Sequence, residues 1–350
     1  QLEKMKTAIS TALLSVLGFS IFLSVLGVAI NQPIMHLMGT PENIFADAAE
    51  YMQIYFLGFV FLFLYNAFSA IFNALGDSKK PLLFLAFSSL LNIGLDLYFV
   101  ARLHMGVAGV AWATLIAQGI SAVLSFGFLM HKLKGIATES YRRFDKGLLK
   151  NMIKVAIPTI VQQSIVSVGM LLIQSAVNRF GSTFLAGYTA ATKIDSIAIV
   201  PMVAVGNAAS TYVAQNMGAK KPERIRQGYR ICLIMAAGIG ATIAVILHLG
   251  GSQIVGLFLD AGSSAEAIRI GTEYLSTVSL FYFMMGLMNV SNGILRGAAD
   301  MGWFLSCSLC NLLVRVSLTY ALADVTGGMI IMWASPAGWL AGLIIAVIRY

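Results

Sequence analysis

The sequence predicts an all-α protein that crosses a membrane about ten times. Of its 350 residues, 58% are hydrophobic and 11% are charged, and the mean hydropathy is +0.83. Soluble domains carry roughly 25% charged residues, so this chain has too few polar side chains to cover a globular surface in water. This composition excludes a soluble enzyme and a soluble nucleic-acid-binding protein.

Ten apolar segments follow one another, separated by short polar or Gly/Pro breaks. Each is long enough for a bilayer-spanning helix, which needs about 20 apolar residues. One longer polar stretch, 132–151, divides them and is predicted to be a cytoplasmic linker between an N-lobe (1–131, four helices) and a C-lobe (152–350, six helices). The predicted helices are 9–30, 51–74, 81–103, 106–131, 152–178, 183–214, 228–250, 266–295, 302–323 and 327–349.

Basic residues concentrate on one side of this predicted topology. Of the 23 Lys and Arg residues, 18 lie in one set of alternate loops, and Lys193 and Arg315 fall inside predicted spans. Because cytoplasmic loops are enriched in Lys and Arg, we expect both ends of this chain to be cytoplasmic. The net charge of +8 then reflects membrane topology, and we expect no nucleic-acid partner.

The chain contains an internal repeat. Helices six apart share their orientation, which indicates parallel repeats with a substrate site between two six-helix lobes. Only four helices stand in the first repeat, so we expect two further N-terminal helices in a twelve-helix protein. An offset of 223 positions aligns Glu50 with Glu273, Tyr51 with Tyr274, Asn66 with Asn289 and Asp77 with Asp300, and a four-residue gap then aligns Asn92 with Asn311.

Five segments carry a family pattern: Ala74–Pro81 (ALGDSKKP), Leu91–Asp96 (LNIGLD), Gly106–Thr114 (GVAGVAWAT), Ala191–Ile197 (ATKIDSI) and Val213–Ala219 (VAQNMGA). In this order and at these spacings they resemble the multidrug and toxic compound extrusion (MATE) family, over essentially the whole chain. The resemblance implies a two-lobe, six-plus-six helix transporter fold of which this chain holds ten helices, family helices 3–12. It also implies an antiporter that exports organic cations or drugs in exchange for Na⁺ or H⁺.

Asp96 is one of two acidic residues well inside predicted spans. Asn92 lies four residues earlier and therefore on the same helix face, and Thr114 lies at a similar depth on the next helix. Their oxygens suit a small cation, Na⁺ being the one metal ion we expect, and the carboxylate alone could carry a proton. The resemblance assigns a family cation site to these three residues, with a partner Asp on the family's first helix. The alternative is that Asp96 and Asn92 only bond neighbouring helices.

The C-lobe carries the other deep charges, Asp195, Lys193 and Arg315. Asp195 and Lys193 are two residues apart and do not share a helix face. Arg315 occupies the slot equivalent to Asp96 in the repeat, so a second cation site there would face a guanidinium. We expect Asp195 to form an ion pair with Arg315 or Lys193, and contact with drug or proton is the alternative. Where some family members carry a Glu on the seventh helix, this chain has Val166.

Other polar residues and prolines of the C-lobe complete the candidate set. Gln162, Gln163 and Asn289 are candidates to line a substrate cavity. Pro158 and Pro201 interrupt the backbone hydrogen bonding of their helices and are candidate hinges.

The sequence therefore predicts a multidrug antiporter, not an enzyme, working by alternating access in a cell membrane. We expect no cofactor beyond the coupling ion, organic cations or drugs as substrates, the bilayer as surroundings, and a monomer. A lipid-linked oligosaccharide flippase of a related two-lobe superfamily is the alternative. An integral-membrane enzyme is disfavoured because the chain has no Gly-x4-Gly-Lys, His-Glu-x2-His or Gly-x-Ser-x-Gly motif.

Overall fold

The structure, a computed structural model, describes residues 2–37, 40, 42–136, 140–259 and 264–349. In that part of the chain the regular structure is helical throughout. The helices are α1 (Leu2–Leu37), α2 (Glu42–Ala74), α3 (Lys79–Asp96), a π-helical continuation (Leu97–Arg102), α4 (Gly106–Lys134), α5 (Lys146–Asn178), α6 (Ser182–Ala198), α7 (Val200–Gly218), α8 (Pro222–Leu257), α9 (Ala265–Ser279), α10 (Tyr282–Gly297), α11 (Met301–Thr326) and α12 (Met329–Arg349).

These helices confirm the predicted polytopic all-α fold. Within the described ranges, nine helical segments are long and apolar enough to span a membrane. The pair α9 and α10 passes the same test together but bends by 54° at its break, which makes up to ten spans. Each predicted apolar segment coincides with one of these spans. The ends differ by up to nine residues, as at the start of α2 (Glu42 against the predicted 51), because helix ends are the part that sequence predicts least well.

The chain divides into two compact units, Gln1–Ile153 and Lys154–Tyr350. In the first unit α2 packs against α1 and α4, and α3 packs against α4. Its buried core consists of Phe68, Phe72, Phe84, Ala122 and Leu129. In the second unit α10 lies against α7, α8 and α12, and the core includes the fully buried Tyr274 and Tyr282.

Helix α5 begins inside the stretch predicted as a linker. The Asp145 side chain accepts a hydrogen bond from the Leu148 amide (2.9 Å), as an N-cap residue does. The Asp145 amide in turn donates to the Thr11 hydroxyl (3.0 Å) on α1. These two bonds, both within the first unit, start the helix at Lys146 and join its N-cap residue to α1. The linker bounds 132–151 stay a prediction.

Two equivalent turns show the internal repeat in three dimensions. Both α2 and α10 end in a Schellman motif, with the Asp77 amide bonded to the Phe72 carbonyl and the Asp300 amide to the Leu295 carbonyl. Asp77 then pairs with Lys132 on α4 (3.0 Å), and Asp300 pairs with Arg349 on α12 (2.8 Å). In each unit the turn aspartate therefore ties one helix end to the last helix.

Small residues allow α7 and α10 to approach closely. A Cβ atom built at Gly293 would lie 2.1 Å from the Gly206 carbonyl oxygen, and one built at Gly297 would lie 2.4 Å from the Ser210 carbonyl oxygen. Helices in membranes commonly associate through such small residues because their backbones can then touch. This contact positions α10, which carries several side chains of the cavity described below.

Candidate ion and substrate sites

Asn92, Asp96 and Thr114 lie on two adjacent helices of the first unit. Asn92 and Asp96 are one turn apart on α3, and the Asn92 side-chain amide donates to the Thr114 hydroxyl on α4 (3.4 Å). All three side chains are partly buried. The Asp96 Oδ1 atom is fully buried and has no hydrogen-bond partner among the described residues. The structure thus joins Asn92 to Thr114 and leaves a carboxylate oxygen on the same helix unsatisfied.

The helix changes its hydrogen bonding directly after Asp96. Residues Leu97–Arg102 are π-helical, and the Leu103 amide donates to the Tyr98 carbonyl five residues back (3.1 Å). A π-helical turn is rare and is found frequently at functional sites. The sequence gives no signal for this segment, because none of its six residues is a glycine or a proline that would mark an irregular helix.

The second unit contains a cavity of about 740 Å³ that is lined by residues of α5, α6, α7, α9, α10, α11 and α12. Five of the predicted site residues line it: Gln162, Gln163, Asp195, Asn289 and Arg315. Val166 also lines it, where some family members carry a carboxylate. Lys193 is exposed and does not line the cavity, in keeping with its position two residues from Asp195 on a helix with 3.6 residues per turn.

Asp195 has a different partner from the one expected. Its Oδ1 atom accepts a hydrogen bond from the Tyr282 hydroxyl at 2.5 Å. Neither Arg315 nor Lys193 forms an ion pair with it within 4.0 Å in the described part of the chain. The expected ion pair is therefore not formed. Tyr282 begins α10 just after the 54° bend, and no sequence motif marked it as a partner.

The guanidinium groups of the cavity have neutral neighbours. Arg315 Nε is fully buried without a hydrogen-bond partner among the described residues, and the Tyr188 hydroxyl is a polar neighbour of this side chain. Arg296 donates to the Asn207 side-chain oxygen (2.6 Å) and to the Ser210 hydroxyl (3.3 Å). Both groups therefore keep a charge that no carboxylate of the described residues neutralises within 4.0 Å.

The two prolines lie in different settings. Pro158 is inside α5, which continues through it from Lys146 to Asn178. Pro201 is in the first turn of α7, directly after the break at Ile199 that separates α7 from α6. Proline is well tolerated in a first helical turn because its missing N–H would have no intrahelical partner there. Their role as hinges stays a prediction.

Known proteins match most of this chain. The MatE family model matches residues 1–98 and 158–321, which include Asn92, Asp96, Asp195 and Arg315. The probable multidrug resistance protein YpnP of Bacillus subtilis is 32% identical over 301 residues, 86% of this chain and 66% of YpnP. The probable multidrug resistance protein YoeA of the same organism is 28% identical, over 98% of this chain and 76% of YoeA.

The fold agrees with that of a solved transporter structure. The Vibrio cholerae MATE transporter VcmN in its bent form has a TM-score of 0.90 and 18% sequence identity to this chain, and covers 99% of it. The alignment spans 78% of VcmN, so this chain covers between about two thirds and four fifths of these relatives. Because the family model matches most of the sequence, the chain belongs to the multidrug and toxic compound extrusion (MatE) family, whose members are multi-pass membrane transporters and not enzymes.

Proposed function

We propose that the protein is a secondary active multidrug efflux antiporter that exports organic cations and other xenobiotics in exchange for Na⁺ or H⁺. The observation that carries the coupling part of this proposal is the buried, unpartnered Asp96 Oδ1 atom on the same helix as the bonded pair Asn92–Thr114. The similarity to two probable multidrug resistance proteins supports the transport part.

A carboxylate with a buried, unpartnered oxygen within a membrane span is a costly arrangement. An ionised side chain near the bilayer centre costs roughly 2.5–3.5 kcal/mol on insertion scales, and a buried acceptor without a donor costs about 1–3 kcal/mol. Binding of a proton or of a small cation would remove this cost. The Thr114 hydroxyl and the Asn92 amide oxygen are hard oxygen ligands of the kind that suit such a cation.

Ion binding is coupled to substrate transport if the ion binds the outward-open and the inward-open state with different affinities. A ligand shifts a conformational equilibrium only by the difference between its affinities for the two states. We propose that cation or proton binding at Asp96 has such a difference between the outward-open and inward-open states. The two lobes would then alternate access to the substrate, as parallel-repeat transporters do.

The C-lobe cavity is the proposed substrate site. Its volume of about 740 Å³ lies within the range of roughly 300–1,000 Å³ typical of small-molecule pockets. Its lining combines the amides of Gln162, Gln163 and Asn289 with Met285 and Met288. Methionine side chains adapt to ligands of different shape because they are flexible and polarisable, which suits a broad substrate range.

The charge pattern bears on the location of the protein and on its orientation in the membrane. The bias of Lys and Arg toward one set of loops supports cytoplasmic ends for this chain in a prokaryotic plasma membrane. We propose that the protein works there as a monomer, without a cofactor other than the coupling ion.

The test is uptake of ethidium, a fluorescent organic cation, by everted membrane vesicles that contain the protein. Na⁺ and H⁺ gradients are imposed separately on wild type, Asp96→Asn and Asp324→Asn, the last being an acid-to-amide control at an exposed side chain paired with Arg179. We expect one gradient to drive uptake, Asp96→Asn to abolish it and Asp324→Asn to keep it. Absence of uptake under both gradients, with intact inserted protein, would refute the proposal in favour of a lipid-linked oligosaccharide flippase.

A further inference from the structure

The ionised side chains of the C-lobe cavity are unbalanced. Among the described residues that line it are one carboxylate, that of Asp195, and two guanidinium groups, those of Arg296 and Arg315. Each of the three has neutral hydrogen-bonding neighbours: Tyr282 for Asp195, Asn207 and Ser210 for Arg296, and Tyr188 for Arg315. The cavity therefore has an excess of positive charge, which an organic cation alone does not complement.

Arg315 is the group with unused hydrogen-bonding capacity. A guanidinium has five N–H donors in a planar fork and stays charged at every physiological pH. Its Nε is buried and unpartnered in the described structure, although a buried donor without a partner is destabilising. A carboxylate or a phosphate matches the fork geometrically and accepts two parallel hydrogen bonds from it. An anionic group on the ligand would therefore satisfy Arg315 in a way that no side chain of the cavity does.

Asp195 is fixed at a separate point of the same cavity. It interacts electrostatically with Arg315, but the two do not form an ion pair within 4.0 Å in the described residues. Tyr282 holds the Asp195 carboxylate through Oδ1. The apolar side chains of Met285, Ile173 and Trp339 line the same space. The cavity thus presents an anion-binding point, a cation-binding point and an apolar wall.

We propose that Arg315 is a specificity-determining residue that selects amphiphilic organic cations carrying an additional anionic group, a carboxylate or a phosphate. The anionic group binds the Arg315 guanidinium, the cationic part lies toward Asp195, and the apolar body packs against the methionine and aromatic wall. This inference names the substrate class of the site proposed above and rests on that proposal for its transport meaning. The binding preference itself requires no ion gradient.

A pair of dyes that differ in one carboxylate tests the preference. Rhodamine B is a zwitterion, and its ethyl ester is the same xanthylium cation without the free carboxylate. Binding to the purified protein in a non-ionic detergent is measured by fluorescence polarisation, without any gradient, so a failure of coupling at Asp96 leaves this result interpretable. The variants are Arg315→Gln, Arg315→Lys and, as a matched control, Arg230→Gln at an exposed position of α8.

We expect wild type to bind the acid on the order of tenfold more tightly than the ester, since a hydrogen bond to a charged group contributes that much. Arg315→Gln should bind both dyes equally, with the ester affinity unchanged. Arg315→Lys should keep part of the preference, because an ammonium retains the charge but not the fork. Arg230→Gln should match wild type.

Two outcomes overturn the proposal: equal binding of acid and ester by wild type, or a preference that persists in folded Arg315→Gln. If Arg315→Gln does not fold, a wild-type preference undiminished in Arg315→Lys overturns it instead. Competition separates the two sources of an anionic group. If short-chain phosphatidylglycerol displaces the acid from wild type but not from Arg315→Gln, and phosphatidylcholine displaces it from neither, the anionic group is a lipid phosphate. If neither lipid displaces the acid, the anionic group is a soluble carboxylate.

Discussion

Replacing Gly293 by alanine should separate α7 from α10 and destabilise the C-lobe. Gly293 is buried in the contact between these helices, and the added Cβ atom would lie 2.1 Å from the Gly206 carbonyl oxygen. The obstructing atom belongs to the backbone, so no side-chain rotation can make room. One helix must move away from the other.

The size of the effect follows from that distance. Ordinary van der Waals contacts of a Cβ atom begin at 3.4 Å, so the helices must separate by about 1.3 Å or deform locally. Overpacking of this kind costs about 1–3 kcal/mol in well-packed cores. For a unit of about 200 residues, each kcal/mol lowers the midpoint of thermal unfolding by about 2–4 °C. The expected decrease is therefore about 2–12 °C.

The assay is thermal unfolding of the purified protein in detergent, followed by intrinsic fluorescence. Gly238→Ala is the matched control, because a Cβ atom there meets nothing within 4 Å on the exposed side of α8. Alanine is the better helix former, so Gly238→Ala should leave the midpoint unchanged or raise it slightly. Equal midpoints for Gly293→Ala and Gly238→Ala would refute the close α7–α10 contact.

Two further substitutions probe single side-chain interactions. The hydrogen bond from Lys132 holds the pKa of the Asp77 carboxyl below its usual range. The ionised Asp77 carboxylate therefore stabilises the folded protein at every pH above the unfolded pKa of this group, near 4. This stabilisation is lost as the pH falls through the folded pKa. Wild type should therefore have a higher midpoint of thermal unfolding than Asp77→Asn at neutral pH, and this difference should shrink at pH 3. A difference in midpoint that is equally large at pH 3 would contradict this account. Tyr282→Phe leaves Asp195 Oδ1 without its donor and should lower the free energy of unfolding by about 1–3 kcal/mol. The control Tyr320→Phe loses an exposed bond to the Leu172 carbonyl and should lower it less. Equal midpoints of thermal unfolding for the two variants would refute a special role for Tyr282.

The spans and the repeat were predictable because they depend on averages and on order. Twenty consecutive apolar residues determine a span whatever their local geometry. The alignment of Asp77 with Asp300 placed both at equivalent turns, and the structure gives each a cation on the last helix of its unit. The different environments of Lys193 and Asp195 followed from helical periodicity alone.

Local hydrogen bonding was not predictable. The π-helical turn after Asp96 depends on which carbonyl each amide selects, and hydropathy does not record that choice. The Asp195–Tyr282 bond depends on the bend between α9 and α10. The segment Ser279–Tyr282 contains no proline or glycine that would indicate this bend. An ion pair looked favourable from sequence because depth alone placed Asp195 and Arg315 together.

The most direct test of Asp96 as the coupling residue is ion movement driven by substrate. Purified protein is reconstituted into liposomes, an organic cation such as ethidium is added on one side, and the opposing fluxes of ²²Na⁺ and H⁺ are measured for wild type, Asp96→Asn and Asp324→Asn. We expect substrate to drive the flux of one ion in wild type and in Asp324→Asn, and of neither ion in Asp96→Asn. An undiminished substrate-driven flux in Asp96→Asn would contradict the proposed role of this carboxylate.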